Sequence, residues 1–339
     1  MYGRGAQTLR HETPFVSVVI PTFNSATTLR KCLDSAMSLD YPKERLEVLV
    51  IDGGSSDETV RIAREFPVTL VIEPKRIRGA TYNRGLKEAR GEYVGYVDSD
   101  GTVSRSWLRE SVSLLSRDAS VGVVYFKSEI PRDSTLFQRV AGTYQTKGKM
   151  WVRSALQGSG ANGAIYQRKA LLEIGGFDER MMYEQEDELT SRLERNGYKV
   201  ESGSRGLVFH NPRSSISGYF LQSIEDGIGF FGYYLILRHE IAYMTVRSMI
   251  ALLPILALII LPTSLFMTLL IVLGLGALTL AYFVYSILRT APEERRPLLL
   301  FLSLPLVYLS CVGSLIGYIV GLARHARLFL EGGKTDPRR

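Results

Sequence analysis

Four β-rich apolar runs, Phe15–Ile20, Leu46–Ile51, Val68–Ile72 and Tyr93–Asp98, are separated by polar turns and helical stretches. That alternation constrains the chain most, and it predicts a doubly wound, mostly parallel α/β sheet. Leu46–Ile51 is apolar almost throughout, as a parallel strand buried on both faces should be. Asn24 or Ser25 is the expected N-cap of a first helix reaching about Ser38. Ser55 and Glu58 have capping-box spacing, which predicts a helix to about Glu65. A third helix is expected over about Ala80–Ala89, after the basic loop Lys75–Gly79.

Two of the runs deliver acids at their carboxyl ends, where open α/β sheets place ligands. Asp98 and Asp100, one residue apart, form a compact site for a hard cation. Mg²⁺ or Mn²⁺ takes one or two carboxylates and fills its other positions with water and phosphate oxygens. A solvated turn would look the same in isolation. Asp52 reads either as a contact to a ribose hydroxyl or base edge, or as a turn acid bonding its own backbone. Arg76, Arg78 and Arg84 offer planar donors to a diphosphate, with simple surface solvation as the alternative.

The chain has 339 residues and a net charge of +7, with nearly all charged residues before Arg247. That balance suits phosphate-bearing substrates or an anionic membrane surface. No basic helix or aromatic platform is visible, so no nucleic-acid partner is expected. Cys32 and Cys311 lack any partner spacing, which argues against a disulfide or a zinc site. Residues 1–14 are polar, and no signal peptide is read there.

Further along, Gly158–Gly163 is flexible and small, fit for a wall beside a ligand or for an ordinary loop before the strand Ala164–Gln167. Glu184, Glu186, Asp187 and Glu188 crowd a helix start. Acids there suit the helix dipole, but four in five positions exceed what capping needs. A positioned carboxylate can take the proton of an attacking hydroxyl. His210 follows the apolar strand Gly206–Phe209 and is either structural or a ligand.

The pieces Val18–Asn24, Val50–Asp57 and Val97–Asp100, followed by Gly160–Gly163, Leu172–Glu179 and Glu184–Leu189, keep a characteristic order and spacing. Over about residues 14–213 the sequence resembles a family 2 glycosyltransferase with the GT-A fold. The resemblance implies an inverting enzyme using a nucleotide-sugar donor and a divalent metal. It places Pro21, Thr22, Asn24 and Asp52 on the donor nucleotide, Asp98 on ribose and metal, and Asp100 on the metal. Gly160, Asn162 and Gly163 fall on the acceptor side, and His210 can reach the metal or the diphosphate. The second member of an acid pair is the base, here Asp187, with Glu186 as the alternative. One departure is plain: Thr81-Tyr82-Asn83 stands where Ala-Arg-Asn is common, so Arg78 or Arg84 is expected to replace the missing Arg.

Three apolar stretches, about 244–261, 265–288 and 298–323, predict transmembrane helices. The second runs 24 residues without a charge, about 36 Å as a helix against about 30 Å of hydrocarbon. An interfacial amphipathic helix is expected over 214–242. The resulting order is a tail (1–13), a catalytic domain (14–213), the interfacial segment, a helical membrane domain (243–324) and a basic tail (325–339). It describes a multi-pass membrane protein with its catalytic part in the cytoplasm. The expected reaction moves a sugar to a hydroxyl of a lipid-linked or other membrane-associated saccharide, with membrane lipid as a further partner. Transfer to a polyprenyl phosphate is the rival, followed by a nucleotidyltransferase and a non-catalytic receptor.

Overall fold

In the computed structural model of the chain, residues 13–126, 128–148, 162–180, 185–204, 207–237, 252 and 297–331 are described. Seven strands form the main sheet in the order β3-β2-β1-β4-β8-β6-β9. They are β1 (Val16–Thr22), β2 (Leu46–Asp52), β3 (Thr69–Ile72), β4 (Tyr93–Tyr96), β6 (Val121–Tyr125), β8 (Ala164–Gln167) and β9 (Lys199–Ser202). Only β8 runs against its neighbours, β4 and β6; the other pairs are parallel. The expected mostly parallel sheet is therefore present. A small second sheet joins β5 (Gly101–Val103), β10 (Val208–His210) and β7 (Ser128–Glu129).

Strand alternation sorts the core into two layers. Val16, Val18, Ile20, Val48 and Val50 face one side with Leu29, Cys32 and Leu33 of α1 (Leu29–Met37) and Trp107 of α4 (Trp107–Leu115). Val19, Leu49, Ile51, Val94 and Tyr96 face the other. They meet Tyr82 and Leu86 of α3 (Arg78–Glu88) and Leu189 and Leu193 of α7 (Gln185–Arg195). Helices thus cover both faces, which is why β2 lacks a polar side.

Several boundaries differ from expectation. The first helix begins at Leu29, not beside Asn24 or Ser25, and its N-cap Thr28 makes no side-chain cap bond. Ser25 instead offers its carbonyl to the Thr28 and Leu29 amides. Ser55 caps no helix either; α2 spans only Thr59–Ala63. Asp57 does that work, accepting from the Thr59 and Ala26 amides. The fourth strand stops at Tyr96, two residues before the acid.

The expected membrane architecture is corrected. Among the described residues, no helix is long and apolar enough to cross a membrane. This overturns the multi-pass membrane localisation. The stretches 244–261 and 265–288 lie outside the described residues except for Leu252. The stretch 298–323 falls within α9 (Pro297–Glu331). Its Gly313, Ser314 and Gly317 lie against α8 (Ile216–Leu237), where Ser314 Oγ donates to the Ser223 carbonyl. A Cβ on Gly317 would approach the Gly227 Cα to 2.8 Å. Small residues of this stretch therefore let the two helices approach closely. The Phe220–Ile224 face of α8, expected on a bilayer, sets its backbone against Gly313 and Gly317. Val140 and Ala141 of α5 (Leu136–Gly148) join Tyr219 and Leu306 beside it.

Candidate active site

The parallel strands β1, β2 and β4 send their carboxyl ends to one edge, so Thr22, Asp52 and Asp98 arrive there together; Thr22 and Asp52 are in register. Asp98 accepts a turn bond from Gly101, which starts β5. β5 pairs antiparallel with β10 so that His210 lies opposite Gly101. That pairing sets His210 Nε2 3.3 Å from Asp100 Oδ1. The antiparallel β8 brings its leading residues, Asn162 and Gly163, to the same edge.

Ligand atoms of Asp98, Asp100 and His210 lie within 4.8 Å of one another. Two carboxylate oxygens and one imidazole nitrogen, half-buried, suit Mg²⁺ or Mn²⁺. Burial works against charge on Asp100, but His210, Arg213 and Arg78 bring its carboxyl down to about 2. Burial likewise disfavours the charged imidazole, yet Asp100 and Asp98 hold His210 above its ordinary value. Asp100 is thus ionised at neutral pH. Asn211, which the sequence reading passed over, donates its amide N–H and its Nδ2 to the Asp100 carbonyl. Its adjacency to His210 was the available signal.

The donor-side residues form a loop knot. Asp52 is 1% exposed. Its Oδ2 accepts from the Gly54 and Ser55 amides, and its Oδ1 from Thr22 Oγ1 and Ser55 Oγ. Of the two readings of Asp52, the turn acid is the one these bonds display. Asn24, in the left-handed region at φ 49°, donates its N–H to Ser55 Oγ and accepts from the Ser56 amide. Pro21 precedes this knot at the end of β1, opposite Ile51. Ser25 and Ser99 hydroxyls meet at 2.7 Å and tie the knot to the acid turn.

Asn162, expected on the acceptor side, is held by backbone bonds. It is 5% exposed, accepts from the Asp98 amide and donates to the Phe209 carbonyl. Gly163 is structural too: its φ is +75°, and its carbonyl accepts from Trp107 Nε1. Gly160 lies outside the described residues.

On α3, Arg78 donates to the Tyr82 hydroxyl at 3.2 Å, and that hydroxyl donates to Asp98 Oδ1 at 3.0 Å. Burial pushes the Tyr82 phenol well above its ordinary value, so it keeps its proton. Arg78 Nη2 also lies 3.8 Å from Asp98 Oδ1 and 3.7 Å from Glu186 Oε1. Of the two substitutes for the missing Arg, Arg78 therefore reaches the acids. Arg84 instead pairs with Glu88 one helical turn on, at 3.0 Å. Arg78 and Tyr82 are four residues apart, which is the spacing that puts them on one helix face.

In α7, Glu186 is 8% exposed, and its carbonyl accepts from Thr190 Oγ1, which bonds Tyr125. Glu188 is occupied by Arg192 in two bonds. Glu184 and the Asp187 side chain lie outside the described residues. An open cavity of about 840 Å³ lies at the opposite end of the sheet, lined by Phe15, Arg45, Arg90, Arg168 and Lys169. Arg90 there is paired to Glu47, and Lys169 to Glu173, so it does not compete as the reaction site.

Comparison with known proteins finds relatives among glycosyltransferases. Residues 17–175 match the family described as Glycosyl transferase family 2. Glycosyltransferase AglE of Haloferax volcanii is 38% identical over 109 residues, covering 30% of this chain and 36% of that protein. A Methanococcus voltae protein is 25% identical over 232 residues, covering 63% of this chain and 72% of its own length. Its name is dolichyl N-acetyl-alpha-D-glucosaminyl phosphate 3-beta-D-2,3-diacetamido-2,3-dideoxy-beta-D-glucuronosyltransferase. The probable glycosyltransferase YdaM of Bacillus subtilis is 30% identical over 206 residues, 56% of this chain and 49% of that protein. The chain spans 36% and 49% of two of these three relatives and 72% of the third. Among solved structures, the mannosyltransferase PcManGT of Pyrobaculum calidifontis, with GDP-Man and Mn²⁺, superposes with a TM-score of 0.50. It is 21% identical, with 96% of this chain and 78% of that one covered, and the likeness shows the fold.

Proposed function

We propose, on the premise that residues 17–175 carry a family 2 glycosyltransferase domain, that the whole chain is an inverting transferase. It moves a sugar from a nucleotide donor to a hydroxyl of a saccharide acceptor. The observation that carries this reading is the Asp98–Asp100–His210 cluster, with Arg78 standing between Asp98 and Glu186. On this reading the donor diphosphate binds at the cluster, and Glu186 supplies a carboxylate across from it. A lipid-linked saccharide is the acceptor class we favour, supported by the dolichyl-phosphate wording in the name of the Methanococcus voltae relative.

Asp98, Asp100 and His210 would hold the Mg²⁺ or Mn²⁺ ion. When bound, that ion supplies positive charge against the leaving diphosphate. The chain's own groups do the rest. Arg78 adds a second cation on the diphosphate side. Glu186 takes the proton from the acceptor hydroxyl as its oxygen bonds the anomeric carbon. The bond from that carbon to the diphosphate breaks on the opposite face, which inverts the centre. Asp187 is the alternative base. The buried Asp52 loop shapes the nucleoside end.

The test is release of nucleoside diphosphate from UDP-, GDP- and dTDP-sugars by the full chain with Mn²⁺, with and without a polar lipid extract. Glu186→Gln and Asp187→Asn run beside wild type. Lipid-dependent release lost in one of these variants supports a hydroxyl acceptor and names the base. Release unaffected by both would instead point to an acceptor that is already ionised, such as a phosphate.

A further inference from the structure

Arg78 is aimed by a neutral hydroxyl, although two carboxylates lie nearby. Its bond to Tyr82 is the one hydrogen bond it makes among the described residues. Asp98 and Glu186, at 3.8 and 3.7 Å, are beyond hydrogen-bonding distance but within ion-pair range. A guanidinium has five N–H donors in a planar fork, so most remain to be used. The side chain is 42% exposed and open to an incoming anion. Two carboxylates gripping it in bidentate fashion would have held it far more firmly.

Tyr82, by contrast, is fixed. It is 1% exposed, with its ring stacked on Tyr96 at 5.1 Å and against Phe177 at 4.8 Å. Its single proton goes to Asp98 Oδ1, which leaves its oxygen facing Arg78. Arg78 also lies over the Tyr82 ring, 5.6 Å from the centroid. The phenol thus transmits the position of the acid turn to Arg78.

We infer that Tyr82 is a positioning residue that presents Arg78 to the donor diphosphate, and that the diphosphate and Glu186 compete for this one guanidinium. The inference rests on the transferase reading above. Donor engagement draws Arg78 away from Glu186 and leaves that carboxylate more basic for the acceptor hydroxyl. An empty site keeps Glu186 partly neutralised. Donor binding and readiness of the base are then coupled through a single side chain.

The test is calorimetric titration of the full chain with UDP, GDP and dTDP, each in the presence of Mn²⁺, together with donor KM and kcat. Tyr82→Phe keeps the ring and removes the hydroxyl. It is expected to weaken the best-bound nucleotide by about tenfold, the scale of a hydrogen bond to a charged group. Donor KM should rise by a similar factor while kcat changes much less. Glu186→Gln should tighten nucleotide binding several-fold by removing the competitor. That gain should vanish when Arg78→Gln is combined with it, a coupling that a double-mutant cycle reads directly. A purely structural Tyr82 would lower the melting temperature and leave the Glu186–Arg78 coupling intact. Wild-type binding and KM in Tyr82→Phe, or the same Glu186→Gln gain with and without Arg78, would overturn the inference. Failure of wild type to bind any of the three nucleotides would bring down the transferase reading along with it.

Discussion

The Asn162 amide fills the space where Gly101 would carry a Cβ, with Nδ2 at 2.7 Å from that position. The same side chain links the Asp98 amide to the Phe209 carbonyl. It therefore joins, through backbone groups, the turn that bears Asp98 and Asp100 to the strand that bears His210. Groups of this kind fix the geometry of the ligating side chains.

Asn162→Ala should weaken Mn²⁺ binding by roughly 10- to 100-fold, the usual effect of losing an outer-shell partner. Activity should fall in parallel while the fold survives. Calorimetry with Mn²⁺ alone, alongside a melting curve, checks both. Gly101→Ala drives a methyl into the amide and should cost about 1–3 kcal/mol of stability, as overpacking does.

Removal of the ion or of its ligand should act on turnover. Asp100→Asn, or treatment with EDTA, is expected to lower nucleoside diphosphate release by roughly a thousandfold, equivalent to several kcal/mol of lost charge stabilisation. Added Mn²⁺ should restore the chelated wild type and not the variant. Equal activity with and without chelator would remove the ion from the reaction.

The sheet was legible because β1, β2 and β4 are apolar on both faces, with Asp52 ending β2 and Asp98 two residues beyond β4. The acid turn, His210 and Arg78 were visible for the same reason: each ends or follows a periodic element. The roles of Asn162 and Gly163 were not legible, because they depend on β8 running antiparallel into the active edge, a tertiary fact no local pattern carries. The resemblance drew attention to an absent Arg at Tyr82, whereas the bond from Arg78 to Tyr82 makes that tyrosine part of the answer. The apolar stretch 298–323 misled because hydropathy counts side chains and is blind to the small residues by which α9 approaches α8.

Acid stability should depend on Glu47. Its carboxylate accepts from Ser17 Oγ and from the N–H, Nε and Nη2 of Arg90. Burial opposes its charge, but these bonds hold its carboxyl below the ordinary 4.5. A depressed carboxyl stabilises the fold above its unfolded value, and that stability is lost as pH falls through the folded one. Glu47→Gln should therefore cost about 1 kcal/mol at pH 7, since Arg90 is largely exposed. The gap to wild type should close once the pH is well below 4.5. Urea denaturation at pH 7 and in acid measures it, and an unchanged gap in acid would rule Glu47 out as its source.

His210 sets the opposite sign. Its folded value is raised above 6.5 because, against burial, Asp100 and Asp98 favour the charged ring. The stabilising contribution of the charged ring is complete below 6.5 and is lost as pH rises through the raised value. A divalent ion needs the neutral ring, so protons and metal compete for it. Mn²⁺ affinity should accordingly climb as pH passes through the His210 value, and in His210→Asn the climb should flatten. Arg213 and Arg78 also act on Asp100, but both keep their charge over this range and so add no step of their own. Calorimetry between pH 6 and pH 9 gives the profile. A climb of the same size in wild type and His210→Asn would place the proton elsewhere and leave His210 a structural partner of Asp100.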